Sequence, residues 1–231
     1  MNTYAVICTR SREDISPTAH ALMNYYSSVG VQTLLMCNQA SIFSAYALAF
    51  KKVTPDPEDL FIFCHDDIEI HEAKEDFLNK LKEETASTDV GFVGPAGTTY
   101  LGEDAVWWDH NKWREGKHRG RVFHLHPENK GPVDTLYGFP GPVVVLDGLF
   151  LAARARTISQ IGLDKPEYFE GKWDFYDIHY TTKAFLEGFT NKAIDVKIIH
   201  HSLGELAGRD SWHKNREAFI SKTELPLQIK E

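Results

Sequence analysis

Apolar runs alternate with segments of helical period through the first 97 residues. Strands are predicted at Tyr4–Cys8, 31–37, Leu60–Cys64 and 89–94. Helices are predicted at about Asp14–Ser28, at 42–53 behind Ser41 as a cap, and at 71–87. Strands that alternate with helices in this way are typical of an α/β protein with a mostly parallel sheet covered by helices on both faces.

The pattern changes after Gly97, where aromatic residues, histidines and glycines replace the regular alternation. We expect "VWWDHNKW" and "RVFHLH" to form a hairpin around "REGKHRG", and two short strands to flank Asp147 and Gly148. The remaining predictions are a helix over "WDFYDIHYTTKAFLEGF", a last strand in "KAIDVKIIHHSLGE" and a helical tail from Leu206 to Ile220. Because no linker or repeat interrupts the chain, residues 1–231 are predicted to form one domain with a regular half (1–97) and an irregular half (98–231).

Composition narrows the class of protein. The chain is 42% hydrophobic and 25% charged, as globular domains are, and its formal net charge is -8. An acidic protein has no general attraction for nucleic acid or anionic membranes. No apolar stretch reaches the about 18 residues that a membrane span needs. Three cysteines without a secretion signal indicate free thiols and a cytoplasmic location.

The stretch "LFIFCHDD" carries the first candidate chemistry, because a fully apolar strand ends in His65, Asp66 and Asp67. Parallel sheets bind ligands at the carboxyl ends of their strands. Adjacent carboxylates repel each other unless a cation neutralises them, and Mg²⁺ or Mn²⁺ accepts such oxygen ligands. On a strand the two aspartates would face opposite sides and have different roles. The alternative is a solvated turn or a helix cap.

Two later motifs add further polar groups. "IIHHSLGE" ends an apolar strand in His200 and His201, and imidazole is an acceptable Mn²⁺ ligand beside carboxylates. The two histidines could join the same sheet as "HDD". "GKWDFYDIHY" places Asp174 and Asp177 three residues apart, on one side of a helix start. One of these aspartates could cap the helix and the other could serve as a general base.

The order of these motifs resembles that of the family-2-like glycosyltransferases of the GT-A fold, in the branch whose metal motif is His-x-Asp instead of Asp-x-Asp. "FCHDD", "VVVLDGLFLAARA", "FEGKWDFYDIHY" and "IIHHSLGE" carry the resemblance, which spans Tyr4 to Gly204. The family's pattern is broken by His65 and Tyr176, which stand where the family has acids, by the loop "CTRSRED", and by Asn38 near the position of a base-reading aspartate.

The resemblance implies a role for each candidate residue. Asp67 would bind the metal with His65 in the first position of the motif and Asp66 in the middle. His200 would complete the coordination, with His201 as the alternative. Asp177 would be the base that deprotonates the acceptor, with Asp174 in reserve. Thr9, Arg10 and Asn38 would line the nucleotide pocket, and Asp147 and Gly148 would lie near the donor sugar.

The activity that the resemblance implies is a Mn²⁺- or Mg²⁺-dependent, inverting transfer. A sugar would pass from a nucleotide-diphosphate sugar to a carbohydrate or other hydroxyl acceptor, with residues 1–97 binding the nucleotide and 98–231 facing the acceptor. Trp107, Trp108 and Trp113 could stack on acceptor sugars or pack in the core. The alternatives are a weak or inactive carbohydrate- or partner-binding protein on the same scaffold, and a sugar nucleotidyltransferase. The latter usually has a glycine-rich first loop, and "CTRSRED" contains no glycine.

Overall fold

A computed structural model describes residues 1–125, 130–202 and 209–230, and the four strands and three helices predicted for the first half are all present. The described elements are, in chain order, β1 (Thr3–Thr9), α1 (Pro17–Ser28), β2 (Gln32–Cys37), α2 (Ile42–Val53), β3 (Leu60–Cys64), β4 (Ile68–Ile70), α3 (Lys74–Glu84), β5 (Val90–Gly94), β6 (Ala96–Thr98), β7 (Tyr100–Leu101), α4 (His110–Arg114), β8 (His118–His124), β9 (Val133–Gly138), β10 (Gly141–Val143), β11 (Val145–Leu146), β12 (Phe150–Arg154), α5 (Ala155–Ile161), α6 (Tyr176–Leu186), β13 (Thr190–Ala193), β14 (Ile198–His200), α7 (Asp210–Ile220) and β15 (Leu227–Gln228).

A seven-stranded sheet in the order β10-β13-β5-β12-β3-β1-β2 forms the centre. β1 runs parallel to β2 and β3, and β13 runs parallel to β5, whereas β12 and β10 are antiparallel to their neighbours. All five residues of β3 are buried, and since successive side chains point to opposite faces, both faces of the sheet are covered. The predicted α/β fold is confirmed: five of the seven strands of the central sheet run in the same direction, and β10 and β12 run opposite to them.

Local caps decide where the helices begin. α1 starts at Pro17, later than the predicted Asp14, because the Ser16 hydroxyl accepts a hydrogen bond from the Ala19 amide and proline is favoured at the first helical position. α2 begins after Ser41 as predicted, and Ser44 completes a capping box with it.

In the described part of the chain, no helix combines the length and the apolar character that crossing a membrane demands.

A second sheet, in the order β11-β6-β8-β14-β4 with β9 beside β8, takes four strands from the irregular half, namely β8, β9, β11 and β14. The predicted hairpin between "VWWDHNKW" and "RVFHLH" is wrong. The side chain of Asp109 accepts hydrogen bonds from the amides of Asn111 and Lys112, which starts the short helix α4 where a strand was expected. β8 therefore pairs with β6, β9 and β14.

The predicted last strand is divided between the two sheets. β13 joins the central sheet, and β14 joins the second sheet, where it pairs antiparallel with β4 and places His200 opposite Ile68. The expectation that the two histidines share a sheet with "HDD" is therefore wrong, although β4 still brings them next to Asp67. Residues 203–205 of the predicted strand and 206–208 of the predicted tail helix lie outside the described residues, and α7 covers the rest of the tail.

Candidate active site

A cavity of about 1330 Å³ opens at the edge where β1, β2 and β3 end. Parallel pairing brings these ends together, because Thr9 pairs with Cys37 and Ile7 pairs with Cys64. The cavity also receives side chains from β14, α6 and α7. The catalytic, metal and nucleotide-pocket candidates predicted from the sequence all line it, namely Thr9, Arg10, Asn38, His65, Asp66, Asp67, Asp147, Gly148, Asp174, Asp177, His200 and His201.

Three of these residues form a cluster that could hold a metal ion. One ligand atom from each of His65, Asp67 and His200 lies within 4.8 Å of the others. Asp67 Oδ1 is at the centre, 3.7 Å from His65 Nδ1 and 3.4 Å from His200 Nε2. The His201 amide donates to the Asp67 carbonyl at 2.8 Å, so the backbone itself fixes the distance between the "HDD" turn and the end of β14.

The donor set of the cluster fits a divalent cation. Asp67 Oδ1 and His200 Nε2 are both buried and face each other at 3.4 Å, and neither makes a hydrogen bond of normal geometry to any described residue. Buried polar atoms are rarely left in this state without an ion or water to satisfy them. Burial opposes the charge of Asp67, but the facing His200 and His65 outweigh it and keep its pKa below the ordinary value. A carboxylate between two imidazoles is a ligand set acceptable to Mn²⁺.

Two other predicted metal-motif residues have partners of their own. Asp66 and Asp67 were predicted to lie on a strand, but the structure places them in the turn between β3 and β4. Burial, and then the charge of Asp67, raise the pKa of Asp66, while the nearby Thr9 hydroxyl opposes the rise. The His201 Nε2 lies 2.6 Å from Glu69 Oε1, and His201 is not part of the three-residue cluster. The adjacent aspartates thus have different contacts.

Asp177 has the environment of a general base. It lies in the first turn of α6, and its Oδ2 accepts a hydrogen bond from the Gly148 amide at 3.1 Å. Burial, and then the nearby charge of Asp147, raise the pKa of Asp177 to about 7. A carboxyl group with a pKa near neutrality can accept a proton and later release it at physiological pH.

Asp174 lines the same cavity but lies before the helix, so the expectation that it shares a helix face with Asp177 is wrong. The residue between Asp174 and the helix, Phe175, has a left-handed backbone (φ 68°) and makes no side-chain cap, so α6 begins only at Tyr176. Asp174 lies outside the helix and is 3% exposed. Its Oδ2 accepts from the Ser211 hydroxyl at 2.6 Å, and its Oδ1 is 3.7 Å from Arg209 Nη1. These contacts attach it to the start of α7.

Aromatic side chains line the cavity beside Asp177, and the sequence prediction found only one of them. Trp108 lines the cavity as one of the three predicted tryptophans, whereas Trp107 is buried and Trp113 packs on Tyr137. Trp173 and Trp212 also line it, and Trp173 is 41% exposed. Trp173 directly precedes Asp174 in "GKWDFYD", so its position in that motif was the signal that could have identified it.

Tyr176 and His65, which depart from the family's pattern, contact each other. Tyr176 Oη lies 2.8 Å from His65 Nε2 and donates to the Gly148 carbonyl at 2.9 Å. The two residues are 111 positions apart in the chain, so no local pattern pairs them.

The central sheet and the cavity at its carboxyl edge define a fold of the GT-A type. Residues 6–222 match the glycosyltransferase-like family, and the chain belongs to that family. A comparison with curated protein sequences found no match.

Solved structures show the same fold. GalNAc-T7 with UDP, GalNAc and Mn²⁺ is 10% identical and matches with a TM-score of 0.60, covering 96% of this chain and 48% of that one. TarS from S. aureus is 11% identical, with a TM-score of 0.50 and coverages of 93% and 42%. A197 from STIV is 12% identical, with a TM-score of 0.50 and coverages of 87% and 86%. The chain therefore spans less than half the length of GalNAc-T7 and TarS.

Proposed function

We propose that this chain is a Mn²⁺- or Mg²⁺-dependent hexosyltransferase that moves a sugar from a nucleotide-diphosphate sugar to an acceptor hydroxyl with inversion. One observation carries the proposal. The cluster of His65, Asp67 and His200 and the near-neutral base candidate Asp177 face the same cavity at the carboxyl edge of the sheet. Family membership and the GT-A fold support a transferase at this position.

Donor binding needs a positive charge, because the cavity is lined by several carboxylates, including Asp66, Asp147 and Asp177. Asp67, His65 and His200 would hold the divalent ion, which would neutralise the diphosphate as charge develops on the leaving group. Arg10 is the cationic side chain at the end of β1 on this side of the cavity. Thr9 and Asn38 would contact the nucleotide. The similar GalNAc-T7 structure contains UDP and Mn²⁺, which supports this class of donor.

The acceptor would be activated by Asp177. Its carboxylate takes the proton from the attacking hydroxyl, while the Gly148 amide holds Oδ2 in place. The hydroxyl oxygen forms the new bond to the anomeric carbon, and the bond to the diphosphate oxygen breaks on the opposite face, so the configuration inverts. The bond electrons leave with the nucleoside diphosphate, and the proton remains on Asp177 until it is released to solvent.

The exposed indole of Trp173 supports a carbohydrate acceptor. It is 41% exposed, and it lines the cavity together with Trp108 and Trp212, whose ring centroids are 5.6 Å apart. Large exposed aromatic side chains at a polar cavity are suited to packing on the C–H faces of sugar rings. Asp177 lies in the same cavity, so a sugar stacked on this surface can present a hydroxyl to it.

Thermal shift with a panel of nucleotide sugars tests the proposal. UDP, GDP, dTDP and CMP sugars are compared with and without Mn²⁺, on wild type, on Asp67→Asn and on the exposed control Asp195→Asn. We expect one nucleotide to stabilise wild type and the control in Mn²⁺, by about 2.7 kcal/mol at a hundredfold excess over Kd, and to leave Asp67→Asn unchanged.

Donor hydrolysis and transfer then separate an enzyme from a binding protein. A metal-dependent shift followed by release of the nucleoside diphosphate supports the transferase. A shift without hydrolysis or transfer to any carbohydrate would make the chain a binding protein on this scaffold, and the absence of any shift with Mn²⁺ present would overturn nucleotide-sugar binding altogether.

A further inference from the structure

The hydrogen bonds around Tyr176 assign the protons of His65. The Gly148 carbonyl can only accept, so the Tyr176 hydroxyl donates to it over 2.9 Å. The proton of the hydroxyl is thereby used, and the 2.8 Å contact with His65 requires Nε2–H of the imidazole as the donor. A neutral histidine with its proton on Nε2 has its lone pair on Nδ1.

That lone pair lies on the side of the cluster. His65 Nδ1 is the ring nitrogen 3.7 Å from Asp67 Oδ1, and His65 belongs to the three-residue group with Asp67 and His200. A metal-binding histidine commonly donates its other N–H to a fixed acceptor, which sets the tautomer and the ring orientation. Here the hydroxyl of a tyrosine supplies that acceptor, in a chain where both residues replace acids of the family's pattern.

Burial, the ring of Tyr46 and the backbone of Gly148 fix the position of the Tyr176 hydroxyl. The Tyr176 side chain is buried, and Tyr46 packs edge-on against its ring with centroids 5.8 Å apart. A Cβ at Gly148 would lie 2.5 Å from Tyr176 Oη and 2.8 Å from the Asp177 Cβ. Only glycine allows this close approach, so the backbone of Gly148 contacts Tyr176 through its carbonyl and Asp177 through its amide.

We propose that Tyr176 is a positioning residue for the metal: its hydroxyl oxygen accepts a hydrogen bond from Nε2–H of His65, turns Nδ1 toward Asp67 and thereby sets the affinity for the divalent ion. This inference rests on the proposed function and deepens it. It explains the two departures from the family's pattern, His65 and Tyr176, as a pair in which each residue compensates for the other. The Gly148 peptide also connects this pair to Asp177, so the metal ligand and the base candidate share one hydrogen-bonded support.

The variant Tyr176→Phe removes the hydroxyl and keeps the ring. We expect its Kd for Mn²⁺, measured by electron paramagnetic resonance, to rise about 10- to 100-fold. In metal-free protein, nitrogen NMR of labelled histidine should show His65 as the Nε2–H tautomer in wild type and as a mixture in the variant. The His65 signal is assigned by its loss in His65→Asn.

Tyr180→Phe is the matched control. Tyr180 is buried on the same helix, and its hydroxyl donates to the Leu163 carbonyl at 2.8 Å, away from the cluster. The control removes the same kind of hydrogen bond, so it should lower the melting temperature comparably and leave Mn²⁺ affinity and the His65 tautomer unchanged. In the His65→Asn background, Tyr176→Phe should cause no further loss of affinity.

The outcomes separate this inference from the proposed function. Full Mn²⁺ affinity in Tyr176→Phe, an unchanged tautomer, or an equal loss in the His65→Asn background would each overturn the positioning role, as would wild type that binds nucleotide sugar without any metal. Wild type that binds Mn²⁺ tightly but no nucleotide sugar would instead overturn the transferase and leave the role of Tyr176 intact.

Discussion

The cavity has two walls that are built in different ways. The wall that we propose binds the donor, called the donor wall, is formed by residues at or just beyond strand ends, namely Thr9, Arg10, Asn38, His65, Asp66, Asp67 and His200. The wall that we propose binds the acceptor, called the acceptor wall, is formed by residues at helix starts and in the segments before them, namely Trp108, Trp173, Asp177 and Trp212. Backbone pairing fixes the first set, and side-chain packing positions the second.

The difference follows from what each wall is proposed to do. A divalent ion and a diphosphate need ligand atoms at nearly fixed separations, and adjacent strands supply such separations through their hydrogen bonds. An acceptor sugar needs area more than exact distances, and an indole exposed at the rim supplies area with few rotatable bonds. The ligands of the ion and the diphosphate would therefore be held by rigid strand ends, and the acceptor would contact exposed side chains.

The substitution Asp177→Asn should show the largest difference between the two walls, because it should change kcat and leave donor binding intact. Loss of a general base costs about 10²- to 10⁴-fold in rate, so kcat should fall by that factor. Binding of Mn²⁺ and donor, measured by calorimetry, should remain because the donor wall is untouched. Asp174→Asn is the control, since Asp174 is attached to Ser211 and Arg209, and it should keep kcat. Loss of kcat in the control alone would exchange the roles of the two aspartates.

The pH dependence of kcat should follow the titration of Asp177, which belongs to the acceptor wall. The carboxylate form of Asp177 is the active base, and its pKa is raised to about 7 by burial and by Asp147. Below that pH, kcat should fall about tenfold per unit, and above it kcat should level off. The residual rate of Asp177→Asn should lack this transition. A wild-type profile that is flat between pH 5 and 8 would exclude Asp177 as the base.

Trp173→Ala should weaken acceptor binding alone. An aromatic contact is worth about 1 kcal/mol beyond its area, so KM for a carbohydrate acceptor should rise about fivefold, while donor KM and Mn²⁺ affinity stay constant. Tyr168→Ala is matched to it, because Tyr168 is similarly exposed (37%) but does not line the cavity. An equal change in donor KM would show that Trp173 belongs to both walls.

The smallest effect concerns stability in metal-free protein. The folded pKa of Asp177 lies above the unfolded value of about 3.9. The unfolded state then loses its proton first as pH rises, so the contribution of Asp177 to stability is complete below about pH 4 and declines until pH passes about 7. Asp177→Asn should therefore gain melting temperature relative to wild type at pH 8 and not at pH 4. An identical difference at both pH values would contradict the raised pKa.

The donor wall was predictable from the sequence because its signals are local. Apolar runs that end in polar residues mark strand ends, and parallel pairing then brings Thr9, Asn38 and Asp67 to one edge. Ser41 was recognised as a cap by its position alone, and the structure confirms it. Local chemistry of this kind requires no knowledge of which segments meet.

The rest depended on contacts that no short pattern contains. "VWWDHNKW" has the composition of a strand, but the Asp109 cap turns its second half into a helix. β14 lies in the second sheet between β8 and β4, and β4 is a strand of three residues that the pattern did not predict. The left-handed backbone of Phe175, which separates Asp174 from Asp177, is also unexpected, because such angles favour glycine.

The packing of Gly148 against Tyr176 has an evolutionary consequence. A chain with an acid at the position of His65 has no imidazole proton to place, so the hydroxyl at position 176 loses its partner and position 148 loses one reason to be glycine. Residues 65, 148 and 176 should therefore be exchanged as a group among relatives. An alignment of homologues should show histidine, glycine and tyrosine at these positions occurring together more often than their separate frequencies allow.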